Sequence, residues 1–300
     1  MSAPARTLAA AGRRLELGDR PLVMGIVNAT PDSFSDGGGI RTLEQRVELA
    51  REMLANGADM IDIGGESGVT NRPPVDAGEE IERVVPLIER VTAELGVLVS
   101  VDTYKPSVAR AAIAAGACMV NDVSGLLDPG LADVCADTGA ALVVMHTRVA
   151  PKQKLLDPSF DGRVVEDVLG FLRERIELAQ ARGVRFEQIV VDPGPDFAKT
   201  PAQTVEALRS LGRLHELGRP VLLAVSRKDF VGAITLRAPR QRLAGTLAAL
   251  AHGVDAGAHI LRVHDVAQVA DFLAVRTVLE GRLELDSELR LAEELRREQG

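Results

Sequence analysis

The feature that most constrains the fold is a series of eight short apolar runs, each separated from the next by an amphipathic stretch long enough for a helix. The runs occupy residues 22–27, 60–63, 97–101, 118–120, 141–145, 188–191, 221–225 and 259–263. Strands of a parallel sheet are apolar along their whole length and need long crossover connections, which are usually helices. Eight alternating βα units therefore predict an α/β fold, a single-domain (β/α)8 TIM barrel. A doubly wound open sheet is the alternative.

The stretches between the runs predict the helices and the bounds of the barrel. They occupy residues 42–56, 79–95, 106–115, 129–138, 163–182, 201–216, 241–256 and 266–279. Glycine follows several of them, as at Gly57, Gly96 and Gly183, which is typical of a helix C-terminus. We expect an N-terminal leader or short β-ribbon at 1–20, the barrel at 21–283 and a helical tail at 284–300.

Composition narrows the class of partner. The 300 residues are 46% hydrophobic, which is enough for one large core, and 43 acidic against 35 basic side chains give a net charge of −8. That balance argues against a broad surface for nucleic acid or anionic membrane. No run is long enough to cross a membrane. The two cysteines, Cys118 and Cys135, show no metal spacing and suggest a reducing cytoplasm.

Polar side chains stand where every predicted strand ends. They are Asn28, Asp62, Asp102, Asn121, Asp122, His146, Asp192, Ser226, Arg227, Lys228, Arg262 and His264. The carboxyl ends of barrel strands meet on one face, so this set predicts a functional site there. For Asp62, Asp122 and His146, and for Glu66 just beyond the second strand, an orienting or capping role is the alternative.

The deeper members of this set favour a ring ligand. Asp102, Asn121 and Asp192 are costly to bury unless a ligand supplies hydrogen-bond donors. A fused aminopyrimidinone has paired N–H donors on one edge that suit a carboxylate. Lys228 would meet a ring carbonyl.

The rim members favour an anion. Asn28, Arg262 and His264 offer an amide oxygen and two groups able to carry positive charge, which suits a phosphate or pyrophosphate with a divalent ion. The sequence has no HxxxH or CxxC pattern, so a protein cage for zinc is not supported. The glycine-rich segments match neither the dinucleotide-binding fingerprint nor a P-loop.

A family resemblance spans about residue 21 to residue 278 and is carried by seven ordered motifs. They are the segments 28–38 (NATPDSFSDGG), 62–67 (DIGGES), 100–103 (SVDT), 121–125 (NDVSG), 192–194 (DPG), 226–228 (SRK) and 262–266 (RVHDV). In this order they are similar to the motifs of the dihydropteroate synthases. The resemblance implies a barrel enzyme, usually a homodimer. Such enzymes condense 6-hydroxymethyl-7,8-dihydropterin pyrophosphate with p-aminobenzoate to give 7,8-dihydropteroate and pyrophosphate.

The resemblance also implies a role for individual residues. The pterin would contact Asp102, Asn121, Met145, Asp192, Lys228 and Arg262. The pyrophosphate would contact Asn28, Arg262 and His264, with Asn28 also meeting Mg²⁺. The p-aminobenzoate pocket, where sulfonamides compete in the family, would be lined by Thr70, Arg72, Phe197, Ser226 and Lys228.

The family mechanism is dissociative, which assigns catalytic roles to Asp32, Lys228 and Arg262. Pyrophosphate leaves first, and Asp32 on the first loop would stabilise the pterin-methyl cation. Mg²⁺, Arg262 and His264 would stabilise the departing charge before the arylamine attacks. The loops at 29–40 and 67–77 would close over the site and exclude water.

Several residues depart from the family pattern. An insertion moves Thr70 and Arg72 along the second loop. Asp196 stands beside the expected p-aminobenzoate pocket, where an inward carboxylate would repel the benzoate. Asp229 follows the Ser-Arg-Lys motif, and we expect it to be a helix N-cap.

Two alternatives to the synthase therefore stay open. One is a paralogue that binds pterin but uses another acceptor or has lost catalysis. The other is a pterin-dependent methyltransferase, which the Ser226-Arg227-Lys228 and Arg262-Val263-His264 motifs disfavour because they indicate a pyrophosphate substrate.

Overall fold

The computed structural model describes residues 4, 6–18, 20–30, 42–67 and 73–296. An antiparallel ribbon, β1 (Arg6–Ala10) and β2 (Arg13–Leu17), comes first. Eight further strands follow: β3 (Leu22–Asn28), β4 (Met60–Gly64), β5 (Leu98–Asp102), β6 (Met119–Asp122), β7 (Ala141–Met145), β8 (Ile189–Asp192), β9 (Leu222–Leu223) and β10 (Ile260–Val263). All neighbouring pairs in this second sheet are parallel.

Helices fill the connections between these strands. They are α1 (Leu43–Ala55), α2 (Ala77–Leu95), α3 (Pro106–Ala114), α4 (Gly130–Thr138), α5 (Val164–Ala181), α6 (Pro201–Arg209), α7 (Asp229–Thr235), α8 (Leu243–Asp255) and α9 (Val266–Leu279). Helix α1 begins with a capping box in which Thr42 and Gln45 satisfy each other's backbone N–H groups. Helix α2 ends at Leu95, and Gly96 follows it in the left-handed conformation, which agrees with the predicted glycine after the helix.

The eight parallel strands form a nearly closed ring. Their order is β8-β7-β6-β5-β4-β3-β10-β9, and a parallel bridge between Val191 and Val221 brings the two ends of that order together. The TIM-barrel prediction is confirmed, and the open-sheet alternative is wrong. No helix in the described part of the chain is long and apolar enough to span a membrane.

The hydrophobic core has two layers because strand residues alternate between the two faces of the sheet. Val23 and Ile61 face the helices, whereas Met24 and Met60 fill the barrel interior. The ribbon packs into the interior layer through Leu8, which is fully buried. Ala11 N–H donates to Gly139 O just before β7, and Pro4 O accepts from His259 just before β10. The ribbon therefore covers the N-terminal end of the barrel and leaves the C-terminal end for the site.

Three local predictions differ from the structure. The helix expected at 201–216 is α-helical only to Arg209 and continues as a 3-10 helix, Leu211–Leu217. Helix α7 is absent from the predicted helix ranges, although an N-cap at Asp229 implies a helix there; Asp229 is its first residue, and Lys228 is the N-cap. In the tail, residues 284–296 contain no α-helix, only a 3-10 turn at Glu293–Leu295.

Candidate functional site

Strand register brings the polar strand ends to one level. Asn28 is opposite Gly64, Gly64 is opposite Asp102, and Asp102 is opposite Asn121. Further round the ring, Met145 is opposite Asp192. Because these strands are parallel and in register, their carboxyl ends form one mouth, as the sequence predicts.

Arg262 joins three strands at the centre of this mouth. Its Nε donates to Asp62 Oδ2 at 2.6 Å and its Nη2 donates to Asp102 Oδ2 at 2.6 Å. Asn121 Nδ2 donates to the same Asp62 oxygen at 3.1 Å. Burial alone would lower the pKa of Arg262, but the carboxylates of Asp62 and Asp102 raise it above its ordinary value. Arg262 is therefore a permanent cation held by two carboxylates.

The two carboxylates expected to bind the ring have unusual pKa values. Burial raises the pKa of Asp102 to about 7, although Arg262 acts in the opposite direction. Burial also raises the pKa of Asp192, whose Oδ1 accepts a hydrogen bond from Gly194 N–H at 2.7 Å. A ligand that brings N–H donors would replace part of the solvation these groups have lost.

Lys228 connects the ring-binding residues to the pocket beside them. Burial lowers the pKa of its amine, and the negative charges of Asp196 and Asp192 oppose that shift. Its Nζ lies 4.3 Å from the centroid of the Phe197 ring, a distance at which a cation is attracted to an aromatic face. Lys228 and Phe197, which the family resemblance assigns to one pocket, are thus in contact.

On the rim, Ser226 and His264 form a pair. Ser226 Oγ accepts from the backbone N–H of His264 at 3.2 Å and lies 3.0 Å from His264 Nδ1, to which its hydroxyl can donate. Burial lowers the pKa of His264 to about 3, and nearby Arg227 and Arg262 add to the shift. The ring is therefore neutral at pH 7. When Nδ1 accepts from Ser226, the neutral ring presents Nε2–H to an anion instead of a positive charge.

Behind the ring-binding residues, His146 forms a polar chain with Lys199 and Asp167, two residues that the sequence did not assign to the site. Lys199 Nζ lies 2.6 Å from His146 Nδ1 and 2.9 Å from Gly194 O. His146 Nε2 lies 3.0 Å from Asp167 Oδ2, so that nitrogen carries the proton and Nδ1 accepts from Lys199. Burial lowers the pKa of Lys199 to about 7. These contacts agree with an orienting role for His146.

Asp122 and Glu66 also agree with the orienting alternative. Asp122 accepts from the backbone N–H groups of Ser124 at 2.7 Å and Leu126 at 2.5 Å, which fixes the turn after β6. Glu66 accepts from Val75 N–H at 3.0 Å and from Lys105 Nζ at 2.6 Å. Asp62 is different, because its bonds hold Arg262 and Asn121 within the site.

The two acidic departures from the family pattern are both engaged. Asp196 Oδ1 accepts from Thr204 Oγ1 at 3.0 Å and Oδ2 accepts from Phe230 N–H at 3.1 Å. The exposed carboxylate of Asp229 pairs with Arg242 at 2.9 Å. The carboxylate expected to repel a benzoate is therefore bound by protein donors at both oxygens.

Three predicted site residues lie outside the described residues: Asp32, Thr70 and Arg72. The expectations for the cation-stabilising carboxylate and for part of the p-aminobenzoate pocket therefore stay predictions. Met145, which is expected near the pterin, is buried beside Asp192 at the base of the mouth.

Asn28 is the residue that the sequence assigns to Mg²⁺. It ends β3 at the rim, where its amide oxygen is the hard type of ligand that Mg²⁺ prefers. Within residues 4–30, 42–67 and 73–296, as far as they are described, no group of three His, Cys, Asp or Glu side chains could hold a metal. A single protein oxygen suits Mg²⁺, which usually keeps several waters and binds substrate phosphates. The residues present fit such an ion.

Comparison with known proteins gives one family. The model of the family described as "Pterin binding enzyme" matches residues 24–264. The dihydropteroate synthase of Bacillus subtilis (strain 168) is 44% identical over 253 residues, which cover 84% of this chain and 86% of that protein.

Solved structures agree with this result. The dihydropteroate synthase of Xanthomonas albilineans with 4-aminobenzoic acid is 45% identical, with a TM-score of 0.83 and coverage of 92% of this chain and 99% of that chain. The enzyme from the same organism in complex with 7,8-dihydropteroate is 46% identical, with a TM-score of 0.81 and coverage of 91% and 98%. The ordered motifs, the barrel and these matches together show that the chain belongs to the dihydropteroate synthase family of pterin binding enzymes.

Proposed function

We propose that this protein condenses 6-hydroxymethyl-7,8-dihydropterin pyrophosphate with p-aminobenzoate, releasing pyrophosphate and forming 7,8-dihydropteroate. It would thus be a transferase of folate biosynthesis. The observation that carries the proposal is the centre of the mouth, where Arg262 holds Asp62 and Asp102 while Asp192 and Lys228 lie close enough to act on the same charges. Relatives solved with 4-aminobenzoic acid and with 7,8-dihydropteroate support it.

Asp102, Asn121 and Asp192 would bind the pterin through its N–H edge. Asp192 uses only Oδ1 for Gly194 and, among the residues that the structure describes, has no hydrogen-bond partner at Oδ2. That oxygen has two lone pairs and can accept charge-assisted hydrogen bonds from the ring donors. Lys228 would donate to the ring carbonyl, and Arg262 would lie against the ring.

Asn28, Arg262 and His264 would hold the pyrophosphate. Arg262 supplies fixed positive charge, and neutral His264 donates from Nε2. We include Mg²⁺ at Asn28 in this proposal; when bound, it would neutralise charge on the leaving pyrophosphate. The chain's own task in that step is to orient the leaving group away from the ring.

The arylamine would enter between Phe197, Ser226 and Lys228, with Thr70 and Arg72 of the second loop completing the pocket. Asp32 would stabilise the pterin-methyl cation before the arylamine attacks. A sulfonamide that resembles the arylamine should compete for this pocket. The Ser226-Arg227-Lys228 and Arg262-Val263-His264 motifs indicate a pyrophosphate substrate and so disfavour the methyltransferase alternative.

One assay separates the synthase from the paralogue. Pyrophosphate release is measured with the pterin pyrophosphate and Mg²⁺, with and without p-aminobenzoate, while 7,8-dihydropteroate is quantified. Acceptor-dependent release with equal product establishes the synthase. Pterin pyrophosphate binding without product indicates another acceptor. Absence of both binding and release refutes the whole proposal.

Calorimetry of pyrophosphate binding to wild type and Asn28→Ala, with and without Mg²⁺, tests the ion separately from turnover.

We further propose that the protein is a homodimer and acts in the cytoplasm. Most side chains of α9 are apolar, yet only Val266 and Val269 are buried. Val275 is 60% and Leu279 is 82% exposed, and a helix that is apolar on several sides is normally covered. A second copy of the chain is the cover that the family resemblance suggests. Cell fractionation would test the location, which the two buried cysteine thiols support.

A further inference from the structure

Asp196 occupies a backbone position that normally requires glycine. Phe197 N–H donates to Gly194 O at 3.1 Å, which closes a β-turn with Pro195 and Asp196 at its centre. Asp196 has φ = 65°, and a turn with positive φ at this position is usually built with glycine or asparagine. Holding another residue there costs about 1 kcal/mol, so its surroundings must stabilise it.

The side chain of Asp196 supplies that stabilisation by joining two helices. Oδ1 accepts from Thr204 Oγ1, which is fully buried in α6 and accepts in turn from Asp196 N–H at 3.0 Å. Oδ2 accepts from Phe230 N–H at 3.1 Å. Phe230 is the second residue of α7, where the helix itself offers no acceptor. The carboxylate is therefore the acceptor that this N–H has in the fold.

These bonds flank the contact between Phe197 and Lys228. Phe197 follows Asp196, and Lys228 precedes Phe230 by two residues. The hydrogen bond between Asp196 and Phe230 therefore lies beside the contact between Phe197 and Lys228. The carboxylate also acts on the Lys228 amine, whose protonated form it favours against the effect of burial. Asp196 thus links the loop after β8 to the start of α7 at the edge of the expected arylamine pocket.

We propose that Asp196 is a positioning residue that sets the affinity for the arylamine by holding Phe197 and Lys228 against each other. This role rests on the proposed function, because it assigns the Phe197–Lys228 pair to the second substrate. It does not require Asp196 to touch either substrate.

The kinetic test compares Asp196→Gly with Asp196→Asn. Glycine satisfies the positive φ but removes both hydrogen bonds, whereas asparagine tolerates the same φ and keeps an oxygen for Phe230 N–H. We expect the KM for p-aminobenzoate to rise about tenfold in Asp196→Gly, the effect of losing one or two hydrogen bonds, while the KM for the pterin pyrophosphate and kcat change less than about twofold. Asp196→Asn should lie closer to wild type.

Asp229→Asn is the matched control. It removes the same charge next to Lys228, from a carboxylate that is exposed and paired with Arg242 instead. Its KM for p-aminobenzoate should stay within about twofold of wild type, as for most surface substitutions. A wild-type KM in Asp196→Gly, or an Asp196→Asn variant as impaired as Asp196→Gly, would overturn the positioning role.

Amide hydrogen exchange tests the same contact without turnover. Exchange of the Phe230 amide should accelerate about tenfold or more in Asp196→Gly, because its acceptor is gone, and stay unchanged in Asp229→Asn. If wild type makes no dihydropteroate, the proposed function fails, and this measurement still decides on the contact. Unchanged exchange of the Phe230 amide in Asp196→Gly would show that the Asp196 side chain does not accept its hydrogen bond.

Discussion

At the scale of single residues, the chemistry of the mouth depends on charges that are paired before any ligand arrives. Arg262 is held by Asp62 and Asp102, and Lys228 lies within reach of two further carboxylates. Such a set stabilises charge that develops during reaction without first having to reorganise. Removing one partner of the Arg262–Asp62 pair would leave a buried charge unpaired, so it should lower stability as well as function.

Asp192→Asn should abolish most pterin binding. The amide keeps an oxygen for Gly194 N–H but presents an NH₂ group, in place of an acceptor, to the ring donors. Loss of a charge-assisted pair should weaken the affinity by about a hundredfold. Calorimetry with 6-hydroxymethylpterin checks this, with Asp137→Asn, at an exposed position of α4, as the matched control. Retained affinity in Asp192→Asn would remove Asp192 from the pterin site.

His259 should make stability depend on pH. Its Nδ1 accepts from Val221 N–H at 3.1 Å and its Nε2 donates to Pro4 O at 2.8 Å, so both nitrogens are engaged in the neutral form. Burial lowers the pKa of His259 from its ordinary value of 6.5 to about 4. Between those values the unfolded chain binds a proton that the folded chain does not. Stability contributed by neutral His259 is therefore complete above pH 6.5 and is lost as the pH falls towards 4.

His259→Gln isolates this effect. Denaturant unfolding of wild type and variant at several pH values should show the wild-type advantage shrinking below about pH 6.5, by at most about 1.4 kcal/mol per pH unit. Above about pH 7 the difference should be constant. Parallel curves from about pH 7.5 to about pH 4.5 would contradict a neutral, buried His259.

At the scale of elements, the ribbon β1–β2 acts as the floor of the barrel. Leu8→Ala should lower the free energy of unfolding by about 2–5 kcal/mol, because the side chain is fully buried in the interior layer. Leu285→Ala, at a 55% exposed position, should change it by less than about 0.5 kcal/mol. Since the ribbon lies at the end opposite the site, kcat of folded Leu8→Ala should match wild type. A loss of kcat without a loss of stability would contradict this division.

Strands and long helices were predictable because each is a repeated pattern. Apolar runs ended by polar residues located all eight barrel strands, and β3 differs from its prediction only by including Asn28. Helix α7 is only seven residues long and follows a motif, so no amphipathic period reveals it. Without a visible helical period, the first residue of α7 could not be located exactly, so Asp229 was predicted as the N-cap although Lys228 holds that position.

The side-chain contacts between distant elements of the site could not be predicted from the sequence. The bond between Arg262 and Asp62 joins residues 200 positions apart, and Lys199 meets His146 across 53 positions. The strand-end rule placed Arg262, Asp62 and His146 on one face but not in contact. Lys199 follows no strand directly, and only its place in the segment after Asp192 could have drawn attention to it.

At the scale of the whole molecule, the apolar surface of α9 should control assembly. Val275→Glu or Leu279→Glu would place a charge in the proposed dimer interface, where its desolvation is unfavourable. We expect sedimentation velocity to show a dimer for wild type and a monomer for either variant. Leu127→Glu, at a 61% exposed position before α4, should remain dimeric. A monomeric wild type would refute the dimer.

The contacts of the ribbon β1–β2 and the closure of the barrel also determine when the chain can finish folding during synthesis. Pro4 O is bound by His259, 255 positions later, and β3 pairs directly with β10. The edge of β3 therefore stays unpaired until β10 has been synthesised. Contacts this distant slow folding and leave unpaired strand edges exposed meanwhile. A nascent chain stalled before residue 260 should consequently be protease-sensitive and dependent on chaperones, whereas the released chain should become resistant in one late step.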